Sequence, residues 1–246
     1  MQERLQKLLA NAGHGSRREI ERWIESGRVA VNGDTAVLGQ KVSGDDHVTV
    51  DGRRVNLTAA KHRKALYLRY NKPAGEICTR RDEQHRRTVF QSLPKVRSGR
   101  WVAVGRLDLN TSGLMIFTTD GELANRLMHP SNAIERRYLV RVHGSPSEDI
   151  QRRLIVGVDL DDGPARFETL TERNRGGANR WFEVTLKEGR NREVRRLWEA
   201  VGCSVSRLTR IAYGPIKLDK KLRQGQYAYL TDEEANELRE LVAQRS

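Results

Sequence analysis

Cysteine is almost missing from this 246-residue chain: Cys78 and Cys203 are its only two. They lie far apart and outside any metal-ligand spacing, which excludes a disulfide framework and fits free thiols in a reducing compartment. Long apolar runs are missing too. No window approaches the roughly 18 consecutive apolar residues of a membrane span, and the opening MQERLQKLLANAG lacks the apolar core and cleavage site of a secretory signal. A soluble, cytoplasmic protein is therefore expected. Acidic residues are the third shortage, 32 against 45 Lys and Arg, for a net charge of +13. That balance favours a polyanionic partner, most often nucleic acid, because each phosphate neutralised by a cation releases counterions.

The excess charge is concentrated. Residues 1–60 carry nine Lys/Arg and eight Asp/Glu, whereas residues 61–104 carry twelve and three. A merely solvated surface would spread its charge more evenly, so the second segment reads as a footprint for the partner.

Two parts meet near residue 60. Leu5, Leu8, Leu9 and Ala12 fall at i, i+3, i+4 and i+7, the spacing of an amphipathic helix that Gly13 and Gly15 end. Ser16 and Glu19 form the S-x-x-E start of a second helix striped by Ile20, Trp23 and Ile24, with Gly27 at its end. Asn32-Gly33 and Asp51-Gly52 each sit between short alternating strands, a hairpin signal. The run RLQKLLANAGHGSRREIERWIESGRVAVNG and the alternating residues through Val50 resemble the S4 domain, a compact RNA-binding module. The resemblance implies that Arg17 and Arg18, off the apolar stripe, grip structured RNA.

NLTAAKHRK has no periodicity and reads as a linker. ALYLRYNK is strand-like and runs into a turn at Lys72-Pro73. TRRDEQHRRTVFQSLPKVRSGR is too basic and irregular for a core element, so a surface arm is expected, with Arg80, Arg81, Arg86 and Arg87 as nucleic-acid contacts.

GRLDLNTSGLMIFTTDG holds an aspartate, Asp108, between two apolar runs. The surrounding turn residues place it on a loop between strands, at a sheet edge. A plain turn-forming role is the bland alternative. A phosphoaspartate motif D-x-D-x-T fails, because Asn110 replaces the second aspartate and a strand follows where a helix is required. Asp120 reads as the cap of a helix with Leu123, Leu127 and Met128 on its apolar face, and His129-Pro130 as its stop. Asp161-Asp162 reads as a turn, and TDEEANELRELV as a C-terminal helix with a T-x-x-E box.

GRLDLNTSGLMIFTTDGELANRLMHP, with YNKPAGEICTR before it and ERRYLVRV and LKEGRNREVRRLWEAVGCSVSRLTRIAYG after it, resembles the RsuA/RluB family of ribosomal pseudouridine synthases. With the S4-like start, these motifs cover nearly the whole chain. RTVFQSLP and RWVAVGRLD point, within the family, to members acting on 23S rRNA of the large subunit.

The resemblance implies an α+β protein: an S4-like domain over residues 1–58, a linker over 59–65, and a catalytic domain over 66–246 with a large, mostly antiparallel sheet flanked by helices. It implies an isomerisation that calls for no cofactor and no metal, with an rRNA stem-loop as partner and a monomer as the working form. Asp108 is the implied catalytic carboxylate. Arg195, bordering the stripe of Val194, Leu197, Trp198 and Val201, is the implied cation paired with it. Tyr138 is the implied active-site tyrosine, able to stack on the uracil or to take its C5 proton, and Arg106 the residue that fills the gap left by the flipped nucleotide. A non-catalytic rRNA-binding relative is the rival reading. Such a relative should have lost Asp108, Arg195 or Tyr138, and all three positions are occupied.

Overall fold

Ser16 accepts the Glu19 amide at 3.1 Å while Glu19 accepts the Ser16 amide at 3.3 Å, so the expected capping box closes in both directions. This detail comes from a computed structural model that describes residues 2–55, 57, 64–80, 82–97, 99–144, 146–174 and 179–243. Most of the expected linker lies outside the described residues.

The chain forms two compact units. The first comprises residues up to Leu66, with Pro94–Val102 and Thr118–Gly121; the second comprises Tyr67–Leu93, Ala103–Phe117 and the rest. In the first unit β1 (Glu3–Arg4), α1 (Leu5–Asn11) and α2 (Arg17–Glu25) precede β2 (Val29–Val31), β3 (Asp34–Thr35), β4 (Lys41–Val42), β5 (Val48–Val50) and β6 (Arg53–Val55). Asn32, Gly33, Asp51 and Gly52 all have positive φ, which sets the tight turns of two hairpins. The hairpins join as a sheet ordered β3-β2-β5-β6. Leu5, Leu9, Ile20, Val29 and Val48 are fully buried in the core between helices and strands. Gly13 lets residues 94–102 pack against the helix pair, since a Cβ there would lie 2.8 Å from the Gly99 carbonyl oxygen.

The second unit contains β7 (Tyr67–Lys72), β8 (Val102–Val104), β9 (Ser112–Thr118), α3 (Gly121–Met128), β10 (Arg136–His143), α4 (Glu148–Val156), β11 (Val158–Leu160), β12 (Gly163–Ala165), β13 (Thr169–Asn174), β14 (Asn179–Leu186), α5 (Glu193–Ala200), β15 (Ser204–Tyr213), β16 (Ile216–Lys217), β17 (Tyr227–Tyr229) and α6 (Asp232–Ala243). Nine strands form one sheet ordered β13-β14-β10-β15-β9-β7-β17, with β16 beside β15 and β8 beside β9. The sheet is mostly antiparallel, and β9 and β15 pair in parallel at Ser112–Thr209 and Gly113–Arg210. Trp198 of α5 packs on Phe167 and Phe182, with ring centres 6.0 and 5.0 Å away. Thr231 and Glu234 close the expected box at the start of α6.

Three features differ from expectation. Strand β9 lies between β15 and β7, so the Asp108 loop leaves the end of an interior strand, not a sheet edge. The basic arm ends in core structure: Val89 is fully buried and Phe90 meets Phe117 edge-on at 5.6 Å. Helix α4 is an additional element, started by Ser147 accepting the Ile150 amide and by acidic residues in its first turn.

Candidate active site

Residues 105–111 connect β8 to β9 and carry Asp108 half-buried. The loop is held through its backbone. Lys72 is fully buried, and its Nζ donates to the carbonyls of Pro73 (3.0 Å), Asp108 (3.1 Å), Leu109 (3.4 Å) and Thr111 (2.9 Å). The Gly75 amide takes the Leu109 carbonyl at 2.8 Å, and the Cys78 thiol takes that of Leu107 at 3.2 Å. No described carboxylate lies within ion-pairing distance of Lys72, so these carbonyls replace its water shell. Burial holds the ammonium below the usual lysine range, against the charges of Cys78, Glu76 and Asp108.

Asp108 opens into a cleft of about 410 Å³ whose wall includes Arg106, Arg136, Tyr138, Arg190 and Arg210. Tyr138 reaches it from β10, where its strand partners are Val184 and Arg210. Arg136 donates to the carbonyls of Ile134, Lys187 and Glu188, and its guanidinium lies 5.3 Å from the Tyr213 ring centre. Arg210 is only 2% exposed and donates Nε to the Leu114 carbonyl at 2.8 Å, while its Nη2 has no partner among the described residues. Gly113 makes that approach possible: a Cβ there would lie 2.3 Å from the Arg210 carbonyl oxygen. The result is a cleft in which Asp108 and Tyr138, with Glu188, Glu193 and Tyr213, stand among the five guanidinium groups of Arg106, Arg136, Arg190, Arg192 and Arg210, a cationic majority suited to an anionic substrate.

A family model for RNA pseudouridylate synthase matches residues 66–200, which include the whole Asp108 loop, and an S4 domain model matches residues 3–48. The chain belongs to the RNA pseudouridylate synthase family. It is 56% identical over 246 residues, all of this chain and 77% of the relative, to ribosomal large subunit pseudouridine synthase B of Vibrio cholerae. It is 54% identical over 244 residues to the protein of the same name from Escherichia coli strain K12, covering 98% of this chain and 84% of that one. A crystal structure of a pseudouridylate synthase matches with a TM-score of 0.66 at 26% identity, over 96% of this chain and 99% of that one. The synthase is an isomerase: it converts uridine in RNA to pseudouridine, with no net oxidation or hydrolysis.

In this synthase Asp108, Tyr138 and Arg106 line the same cleft. Arg195 approaches the Asp108 loop from α5 and donates to the carbonyls of Asn110 and Val205, each at 2.9 Å. Its hydrogen bonds among the described residues go to backbone and not to the carboxylate. Burial lowers its pKa, the Arg192 charge adds to that, and the Asp108 charge opposes it. Asp162 does more than turn the chain, because it accepts from Arg190 and Arg196 beside the cleft. Lys72 and Arg210 were not anticipated. A signal for Lys72 was present: it continues the alternation of buried Leu68 and Tyr70 and therefore points into the protein.

The described arm arginines of the synthase, Arg80, Arg86 and Arg87, are already engaged. Arg80 lies over the Phe90 ring at 4.2 Å, and Arg86 forks onto Asp82, holding that carboxyl down at about 2. Arg87 Nε meets Glu76 at 3.0 Å, and the same buried carboxylate accepts from Tyr70 and Ser92. Arg81 lies outside the described residues. Arg17 and Arg18 are exposed on α2, where half-buried Arg100 lies near enough to Arg17 for repulsion to add to burial in lowering its pKa. Arg87→Ala leaves Glu76 with hydroxyl partners alone, and should cost about 1–3 kcal/mol. Thermal unfolding without RNA measures this; an unchanged Tm would show that Arg87 has no structural share.

Proposed function

We propose that this chain isomerises a uridine in a stem-loop of the large subunit's 23S rRNA, with Asp108 as the catalytic carboxylate. The observation carrying the reading is that Asp108 and Tyr138 face one cleft walled by arginines. Curated relatives aligned over the whole chain or nearly so are named for the large ribosomal subunit, which supports that target. The reaction breaks the bond from C1′ of the ribose to N1 of uracil, joins C1′ to C5, removes the C5 proton and leaves N1 protonated, so that product and substrate are isomers. Asp108 acts ionised, whether it attacks the ribose, attacks the ring or removes a sugar proton. Tyr138 stacks on the uracil or accepts the C5 proton.

A paired uridine must leave its stack first, at a cost of a few kcal/mol. In this reading Arg106 fills the vacated space, and Arg195 steadies the Asp108 loop from behind while adding positive charge. Arg17 and Arg18, with Arg80, Arg81, Arg86 and Arg87 of the arm, contribute phosphate contacts that offset the cost of extrusion. For Arg86 and Arg87 these contacts compete with Asp82 and Glu76. The protein acts as a cytoplasmic monomer, with the S4-like domain over residues 1–58 and the catalytic domain from 66 onward. Chemical mapping of pseudouridine in rRNA from cells with and without the protein tests the proposal. One 23S uridine should lose its modification when the protein is removed, and an unchanged 23S pattern would reject the target.

A further inference from the structure

A second pocket, of about 500 Å³, lies on the far side of the Asp108 loop. Asn110 and Ser112 form part of its wall, together with Arg141, Ser206, Arg207 and Gln224. It opens where β15 runs past the start of β9: their pairing begins at Thr209, so Val205–Leu208 have β10 on one side and no strand on the other.

Within it, Arg141 of β10 and Arg207 of β15 are direct cross-strand partners. Like charges in that position repel. Neither arginine has a carboxylate within ion-pairing distance among the described residues. Elsewhere on the same outer face of the sheet the cations are matched, Arg137 and Arg173 both by Glu183. Arg141 is held in place regardless. Its Nε donates to the Ser206 hydroxyl at 2.9 Å, that hydroxyl donates back to the Arg141 carbonyl at 3.1 Å, and the guanidinium lies 5.9 Å from the Trp181 ring centre. Its terminal nitrogens are left without a described partner, and Arg207 is exposed with no described side-chain hydrogen bond.

A fixed guanidinium fork and a second arginine across the strand, unneutralised and beside a hydroxyl, make a site for a phosphate. We propose that this pocket binds a backbone phosphate of the substrate RNA, on the strand that carries the target uridine. The inference rests on the RNA-isomerase reading. The Asp108 loop then becomes a divider: Asp108 and Thr111 face the reacting nucleotide, while Asn110 and Ser112 face the phosphodiester of a flanking one. Binding the strand on both sides of the loop anchors the backbone against which the uridine swings out. It also neutralises the Arg141–Arg207 repulsion only when RNA is bound.

The test uses the full chain and an rRNA hairpin that the wild type converts, with the Arg141→Gln/Arg207→Gln double variant. Affinity should fall about tenfold at moderate salt, and the slope of log K against log salt should become shallower by about one to two. Without RNA the Tm should stay the same or rise, because a repulsive pair has been removed. Arg141→Lys/Arg207→Lys should recover most of the slope. Unchanged affinity and slope in the Gln variant would overturn the proposal, and so would a loss of binding accompanied by a fall in Tm. If the wild type forms no pseudouridine in any rRNA hairpin, the isomerase reading fails instead, which is a separate result.

Discussion

Asp108→Asn should lower uridine isomerisation by about 10³-fold or more while leaving hairpin affinity within about twofold. The substitution preserves shape and removes only the charge and nucleophilicity of one group. The loop does not depend on that charge for its form. Its carbonyls are held by Lys72, Gly75 and Arg195, and its turn is closed by the Thr111 amide donating to the Asp108 carbonyl at 3.0 Å. RNA contacts through the surrounding arginines therefore survive. Single-turnover formation of pseudouridine, with binding measured on the same hairpin, separates the two effects. Activity within tenfold of wild type would remove Asp108 from the chemistry.

Lys72→Met should be the most damaging substitution for stability among the residues that hold the Asp108 loop. Methionine fits the apolar stem but withdraws the ammonium from four carbonyls, three of them in the Asp108 loop: those of Asp108 and Leu109 keep the Thr111 and Gly75 amides, while those of Pro73 and Thr111 lose the side-chain donor described for them. An unsatisfied buried acceptor costs about 1–3 kcal/mol, so even partial rearrangement leaves a loss of about 3 kcal/mol. At roughly 2–4 °C per kcal/mol for a chain of this size, Tm should fall by about 6–12 °C. The remaining folded enzyme should turn over more slowly, because a loosened loop misplaces Asp108, and about 1 Å can cost 10²-fold.

The pH dependence has a definite sign. The folded pKa of Lys72 lies below its unfolded value of 10.5, so between the two values the unfolded chain binds more protons. The penalty for burying the charge is present in full at neutral pH and is relieved as pH rises through the folded pKa. The stability gap between wild type and Lys72→Met should therefore widen on the alkaline side. A Tm unchanged by the substitution would mean that the carbonyl cage contributes nothing.

What the amino-acid sequence determined alone was local. The boxes at Ser16–Glu19 and Thr231–Glu234, the Asn32-Gly33 and Asp51-Gly52 turns and the α5 stripe depend on residues at most four to seven apart, and each formed as its spacing required. The order of motifs was equally legible, and with it the family. Residues distant in sequence were placed by strand order and register. Lys72 and Asp108 meet across 36 positions because β7 and β9 are neighbours in the sheet. Tyr138 and Arg210 come together because β10 pairs with β15, and Arg141 meets Arg207 through the same ladder. Local propensity carries no information on such pairings: a slip of one residue would turn every side chain of a strand to the other face, and only burial of the whole sheet selects the register. The tertiary structure therefore decided which cations surround Asp108, and that Arg195 supports its loop through backbone carbonyls.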